Sequence, residues 1–143
     1  MPYRYNIDPK QQLVNVAFFG TVDGVDVNKA LSEIFFDKDW CLSFDHCWDG
    51  SGVTKLDFEY GQFKGIKNVL QRLELPEDIV HGKMAVIVSN RIAYVVVRAA
   101  HAVFNAYKPF AIFQNRAHAT IWLEQGKQRQ VASEQFQSLW QSA

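Results

Sequence analysis

The chain has little that would staple, charge or anchor it. Its 143 residues include only two cysteines, four prolines and eight glycines, and fifteen Lys and Arg are balanced by fifteen Asp and Glu. A net charge near zero leaves no cationic footprint for DNA, RNA or an anionic membrane surface. It also removes the self-repulsion that opposes association. No apolar run approaches the roughly 20 residues that span a bilayer, so no membrane insertion is expected. The opening MPYRYNIDPKQQL lacks the apolar stretch of a signal peptide, which makes a cytoplasmic protein the expectation. Cys41 and Cys47 fall on one expected strand, where about 3.3 Å per residue separates them by roughly 20 Å. That is beyond disulfide reach and fits no zinc spacing, so both thiols are expected reduced.

What is present is an ordinary folding composition, 48% hydrophobic and 14% aromatic. A chain of this length suits one domain spanning residues 1–143 and buries about two-thirds of its unfolded surface. Residues 3–7 (YRYNI) and 12–19 (QLVNVAFF) read as strands joined by the turn Asp8-Pro9-Lys10-Gln11, an antiparallel hairpin. Residues 23–37 read as a helix, because Val27, Ala30, Leu31, Ile34 and Phe35 recur on one face. Asp23 is the expected N-cap with Asp26 in the first turn, and Thr21 is the alternative start. Residues 41–48 read as the next strand, ending in a Gly-rich turn over Asp49-Gly50-Ser51-Gly52-Val53-Thr54.

A helix over 58–73 then carries Phe63, Ile66, Val69, Leu70 and Leu73 inward. A buried strand follows at 83–89 and a helix at 90–107. A last strand at 109–113 runs through Asn115 into a helix at 116–125. A marginal helix at 131–141 closes the chain, in a C-terminal extension of about 131–142. The order β-β-α-β-α-β-α-β-α, with an optional final helix, predicts an α/β fold. Its mixed sheet has about five strands, an opening antiparallel hairpin and then parallel pairing, with four to five helices.

That order, with Gly20-Thr21-Val22, the Asp49–Thr54 stretch followed by Asp57, and Phe110–Phe113 through Ile121-Trp122-Leu123, resembles the STAS domain. More closely it is similar to the SpoIIAA-like, STAS/SEC14 type, over residues 3–125. The resemblance implies a non-enzymatic regulatory or protein-interaction domain. STAS antagonists of anti-sigma factors carry Asp-Ser-Ser-Gly at the start of the helix after the third strand, where a kinase phosphorylates a serine. Here the segment is Asp57-Phe58-Glu59-Tyr60. The aspartate is kept, the serines are gone, and Glu59 stands where the serine would be. Two readings of Glu59 stay open: a carboxylate favoured by the helix dipole, and a built-in mimic of the phosphorylated state. The SEC14 half of the label implies the alternative, a carrier for an apolar or lipid-like small molecule.

Other candidate chemistry weighs less. Asp45 and His46 point to opposite faces of a strand. Asp45 and Asp49 share a face but lie about 13 Å apart at strand rise, too far for paired-carboxylate catalysis. His46, flanked by Phe44 and Trp48, reads as a partly buried, hydrogen-bonded histidine. No metal, cofactor or catalytic set is expected. The expected interaction junction comprises Asp49, Ser51, Thr54, Asp57 and Glu59, with Ser51 and Thr54 making turn hydrogen bonds. On the 90–107 helix, Arg91, Tyr94, Arg98, His101 and Asn105 form a narrow stripe in an otherwise apolar surface. Three readings of that helix stay open: a segment wedged between the sheet and its neighbours, a homodimer seam, and the wall of an apolar-ligand pocket.

Overall fold

The structure, a computed structural model, describes residues 2–57, 82–90 and 109–125. Within them one sheet contains β1 (Tyr3–Asp8), β2 (Leu13–Asp23), β3 (Asp45–Asp57), β4 (Met84–Ile87) and β5 (Phe110–Phe113). Helix α1 is Gly24–Phe35, and α2 covers residues 116–125. The strands lie side by side in chain order. β1 and β2 pair antiparallel, and every later neighbour pairs parallel. This is the mixed α/β sheet that the alternation of strand and helix patterns predicts. The expected helices at 58–73 and 131–141, and that at 90–107 beyond Asn90, lie outside the described residues.

The opening turn forms as Asp8 Oδ1 accepts from the backbone N–H groups of Lys10 and Gln11, at 3.0 and 3.2 Å. α1 begins where the sequence places it. Asp23 Oδ1 accepts from Asp26 N at 2.9 Å, and Asp26 Oδ2 accepts from Asp23 N at 3.0 Å, a reciprocal capping box. Such a cap stabilises a helix by about 0.5–2 kcal/mol. Ala30, Leu31 and Ile34 are fully buried against the sheet.

β3 departs from expectation at both ends. Residues 41–44 form a turn, so Cys41 is not on the strand and lies exposed, whereas Cys47 is buried on it; both are free thiols. The strand then runs straight through the Gly-rich stretch as far as Asp57. The glycines serve close backbone approach there, not a turn. A Cβ on Gly50 would stand 2.9 Å from the Ile87 carbonyl, and one on Gly52 would stand 3.1 Å from the Phe18 carbonyl. β2 keeps pace with β3 by two register shifts, between Ala17 and Phe19 and between Gly20 and Thr21. Gly20 takes φ +70° at the second, a left-handed conformation that glycine tolerates best.

The two faces of the sheet differ. Toward α1, the side chains of Val14, Val16, Phe18, Trp48, Met84 and Phe110 join Leu31, Ile34 and Phe35 in one core. Toward α2, Cys47, Ala85 and Ile87 meet Ala119 and Leu123 in a smaller one.

Candidate functional site

β4 and β5 end level with Asp49 of β3, while β2 and β3 run on, and Asp49, Ser51, Ser89 and Arg116 gather at that step. Asp49 lies on the α2 side of β3. One carboxylate oxygen accepts from Ser51 N at 2.9 Å, and the other accepts from Arg116 Nη2 at 3.1 Å. Burial alone would raise the Asp49 carboxyl. The Ser51 hydroxyl and backbone N–H, together with the Arg116 guanidinium, outweigh it and hold the group below its ordinary 3.8. Ser51 is further tied by its carbonyl, which accepts from the Ser89 hydroxyl at 3.3 Å. Arg116 is the first residue of α2. Asn115 caps that helix, its Oδ1 accepting from His118 N at 3.0 Å.

Beside this network is a cleft of about 560 Å³ between α2 and the β1–β2 turn. Its floor is Leu13, Asn15 and Cys47, and Lys10, Arg116, Thr120 and Glu124 stand around it. Burial pushes the Cys47 thiol up from its ordinary 9.0; Arg116 offsets part of that and Asp49 adds to it. A thiol held protonated is a poor nucleophile. Lys83 closes the far side of α2. Its ammonium donates to the Trp122 carbonyl at 2.9 Å and lies 5.1 Å from the Trp122 ring centre. A cation there complements the carboxyl end of a helix.

His46 points to the opposite face and is fully buried, deeper than the sequence suggests. Trp40 Nε1 approaches its Nε2 at 3.1 Å, and Trp48 Nε1 approaches its Nδ1 at 3.1 Å. A neutral imidazole has one acceptor nitrogen, so a single tautomer receives one indole at a time. Asp45 is also buried, and its Oδ1 accepts from Lys83 N at 2.8 Å.

The structure places the residues of the sequence-predicted junction as follows. Asp49 and Ser51 are joined, whereas Thr54 and Asp57 are exposed farther along β3. Thr54 and Ser51 lie on a strand, not in the expected turn. Glu59, Arg91, Tyr94, Arg98 and His101 lie outside the described residues. Asp45, His46 and Asp49 do not converge, since each is committed to a different neighbour. Among the described residues no group of three His, Cys, Asp or Glu side chains is placed to hold a metal, and no helix is long and apolar enough to cross a membrane. Sequence reasoning missed Arg116, 67 positions from Asp49, and the cleft around Asn15 and Cys47. No local pattern announces either one.

No protein-family model matches the chain, and no curated protein matches it. Among solved structures, the chain is similar to an uncharacterised protein of the DUF3478 family with a SpoIIAA-like fold from Shewanella loihica PV-4. The TM-score is 0.52 at 14% identity, covering 85% of this chain and 93% of that one. The unphosphorylated anti-sigma factor antagonist SpoIIAA aligns at a TM-score of 0.47 and 12% identity, over 83% of this chain and 94% of that one. The fold of this chain is SpoIIAA-like.

Proposed function

We propose that this chain is a non-enzymatic regulatory domain acting through protein–protein contact, as a homodimer in the cytoplasm, without a phosphorylatable serine at its switch-like position. One observation carries the reading. Among the described residues, His46 and Asp49 are held in bonds within the fold, His46 to tryptophans and Asp49 to Ser51 and Arg116. Along β3, Ser51, Thr54, Lys55 and Asp57 are left exposed. A linear, exposed, polar strand suits recognition by another protein better than it suits chemistry on a small substrate. The described cleft is lined by Leu13, Cys47 and Leu123 together with Lys10, Arg116 and Glu124, a mixed surface that does not single out an apolar ligand.

A photo-crosslinking residue at Thr54, with Lys38 as the control position, tests the reading in the protein's own cells. Thr54 is expected to capture one discrete protein, and Asp57→Lys to abolish the capture. Capture of nothing beyond the Lys38 control, with a reproducible small adduct of a few hundred daltons in native mass spectra, would favour the carrier instead. A phosphoryl group on Ser51 or Thr54 would overturn the serine-less switch.

A further inference from the structure

Among the described strands β1 is the outermost, with β2 on its one paired side. Phe19 N donates to the Pro2 carbonyl at 2.8 Å. In the antiparallel alternation of paired and unpaired positions, Arg4, Asn6 and Asp8 thus direct their peptide groups toward β2. Tyr3, Tyr5 and Ile7 direct theirs outward, and no described residue bonds to them. Proteins usually blunt such an edge with charged side chains, a proline or a bulge. Between Tyr3 and Asp8, β1 has no proline or bulge, its register with β2 is unbroken over all six residues, and its two charges, Arg4 and Asp8, are of opposite sign.

We propose that two copies of this chain join β1 to β1 antiparallel about a two-fold axis through Asn6, making one continuous sheet. This rests on the homodimeric reading above and deepens it by assigning the surface. The parity is correct for that axis. Tyr5 falls opposite the second copy's Ile7, and both present outward peptide groups, so the ladder forms on either side of the axis. Asn6 meets its own copy in the closer, non-bonded position. Arg4 and Asp8 of one chain face Asp8 and Arg4 of the other, which gives two opposite-charge cross-strand pairs.

Other registers lose this match. A two-residue shift one way puts Arg4 opposite Asn6 and Asp8 opposite Pro2. The same shift the other way puts Arg4 opposite Lys10. A one-residue shift sets outward peptide groups against inward ones. The ladder stops at Pro9, which has no N–H to donate. The guanidinium is already on the required face, its Cζ 5.7 Å from the Phe19 ring centre. Asp8 keeps a second oxygen beyond the one that holds the turn.

The full chain in a Cys41→Ser background, carrying Asn6→Cys, tests the register directly. Cβ atoms facing each other in the non-bonded position lie about 4.5–5.5 Å apart, within reach of a disulfide after small adjustment. Mild oxidation is expected to give a covalent dimer, whereas Arg4→Cys, whose copies are several residues out of register, is not. Sedimentation of the unmodified chain is expected to show a dimer that Asn6→Lys converts to a folded monomer with unchanged circular dichroism. A dimer that survives Asn6→Lys, with no preferential Asn6→Cys cross-link, overturns the β1 edge and leaves the homodimer standing. A chain that is monomeric at every concentration overturns both, and leaves the Thr54 capture as the separate test of the regulatory role.

Discussion

The two faces of the sheet are made from the same strands and do different work. On the α1 face, Val14, Val16, Phe18 and Trp48 meet α1 in a core of bulky, closely packed side chains. Phe18 and Trp48 stack with ring centres 5.6 Å apart, and Trp48 stacks on His46 at 6.4 Å. On the α2 face the same strands present Leu13, Asn15, Cys47 and Asp49, which are smaller or polar, and leave a cleft. Period-2 alternation sorts the residues into these sets. Among the described residues the bulkier core lies on one face, while the cleft and the Asp49–Arg116 pair lie on the other.

The largest effect expected from breaking this comparison comes from the aromatic stack. Trp48→Ala removes the largest side chain of β3 from the α1 core and is expected to cost about 3–5 kcal/mol, read as a fall in the urea midpoint at constant slope. Loss of under 1 kcal/mol would show that the α1 face is loosely packed. His46→Leu keeps apolar volume but removes the acceptor between Trp40 and Trp48. Leaving a buried indole N–H without an acceptor costs about 1–3 kcal/mol. The same denaturation measures it, and a neutral outcome would mean that solvent reaches both indoles.

These residues also mark what was legible in the sequence. The α1 start was readable because its determinants, Asp23 and Asp26, are three positions apart and bond to each other's backbone. The His46–Trp48 face was readable from alternation alone. The course of β3 was not. Gly50 and Gly52 carry the same local signal whether they make a turn or admit a neighbouring backbone, and the Ile87 and Phe18 carbonyls that decide the matter come from other strands. The Asp49–Arg116 pair was hidden for the same reason, since only the closing of α2 over the sheet brings the two together. Asn15 and Cys47, which share the cleft floor, are likewise neighbours only through the β2–β3 register.

On the α2 face a smaller effect carries a pH signature. Asp49→Asn removes a partly exposed ion pair and weakens the Ser51 bond, at a cost of roughly 0.5–1 kcal/mol near neutrality. The folded Asp49 carboxyl lies below its ordinary 3.8. The ionised form therefore contributes stability in full above the unfolded value. That contribution is lost as pH falls through the folded value. The gap in urea midpoint between the native chain and Asp49→Asn is expected to be constant at neutral pH and to close in acid. A gap that widened in acid would reverse the assigned direction.

The finest probe of the comparison is thiol access, because it asks whether the cleft reaches its own floor. Cys41 and Cys47 are six positions apart, yet one is exposed on the turn before β3 and the other is buried on the α2 face. Alkylation needs the thiolate, and burial holds the Cys47 thiol above its ordinary 9.0. Iodoacetamide at mildly alkaline pH is thus expected to label Cys41 alone in the folded chain and both cysteines in urea, as read by peptide mass. Comparable native rates at the two sites would mean that the cleft opens to its floor on the timescale of the reaction. The α2 face would then be mobile as well as polar, and the contrast with the packed α1 face would be one of dynamics as much as of chemistry.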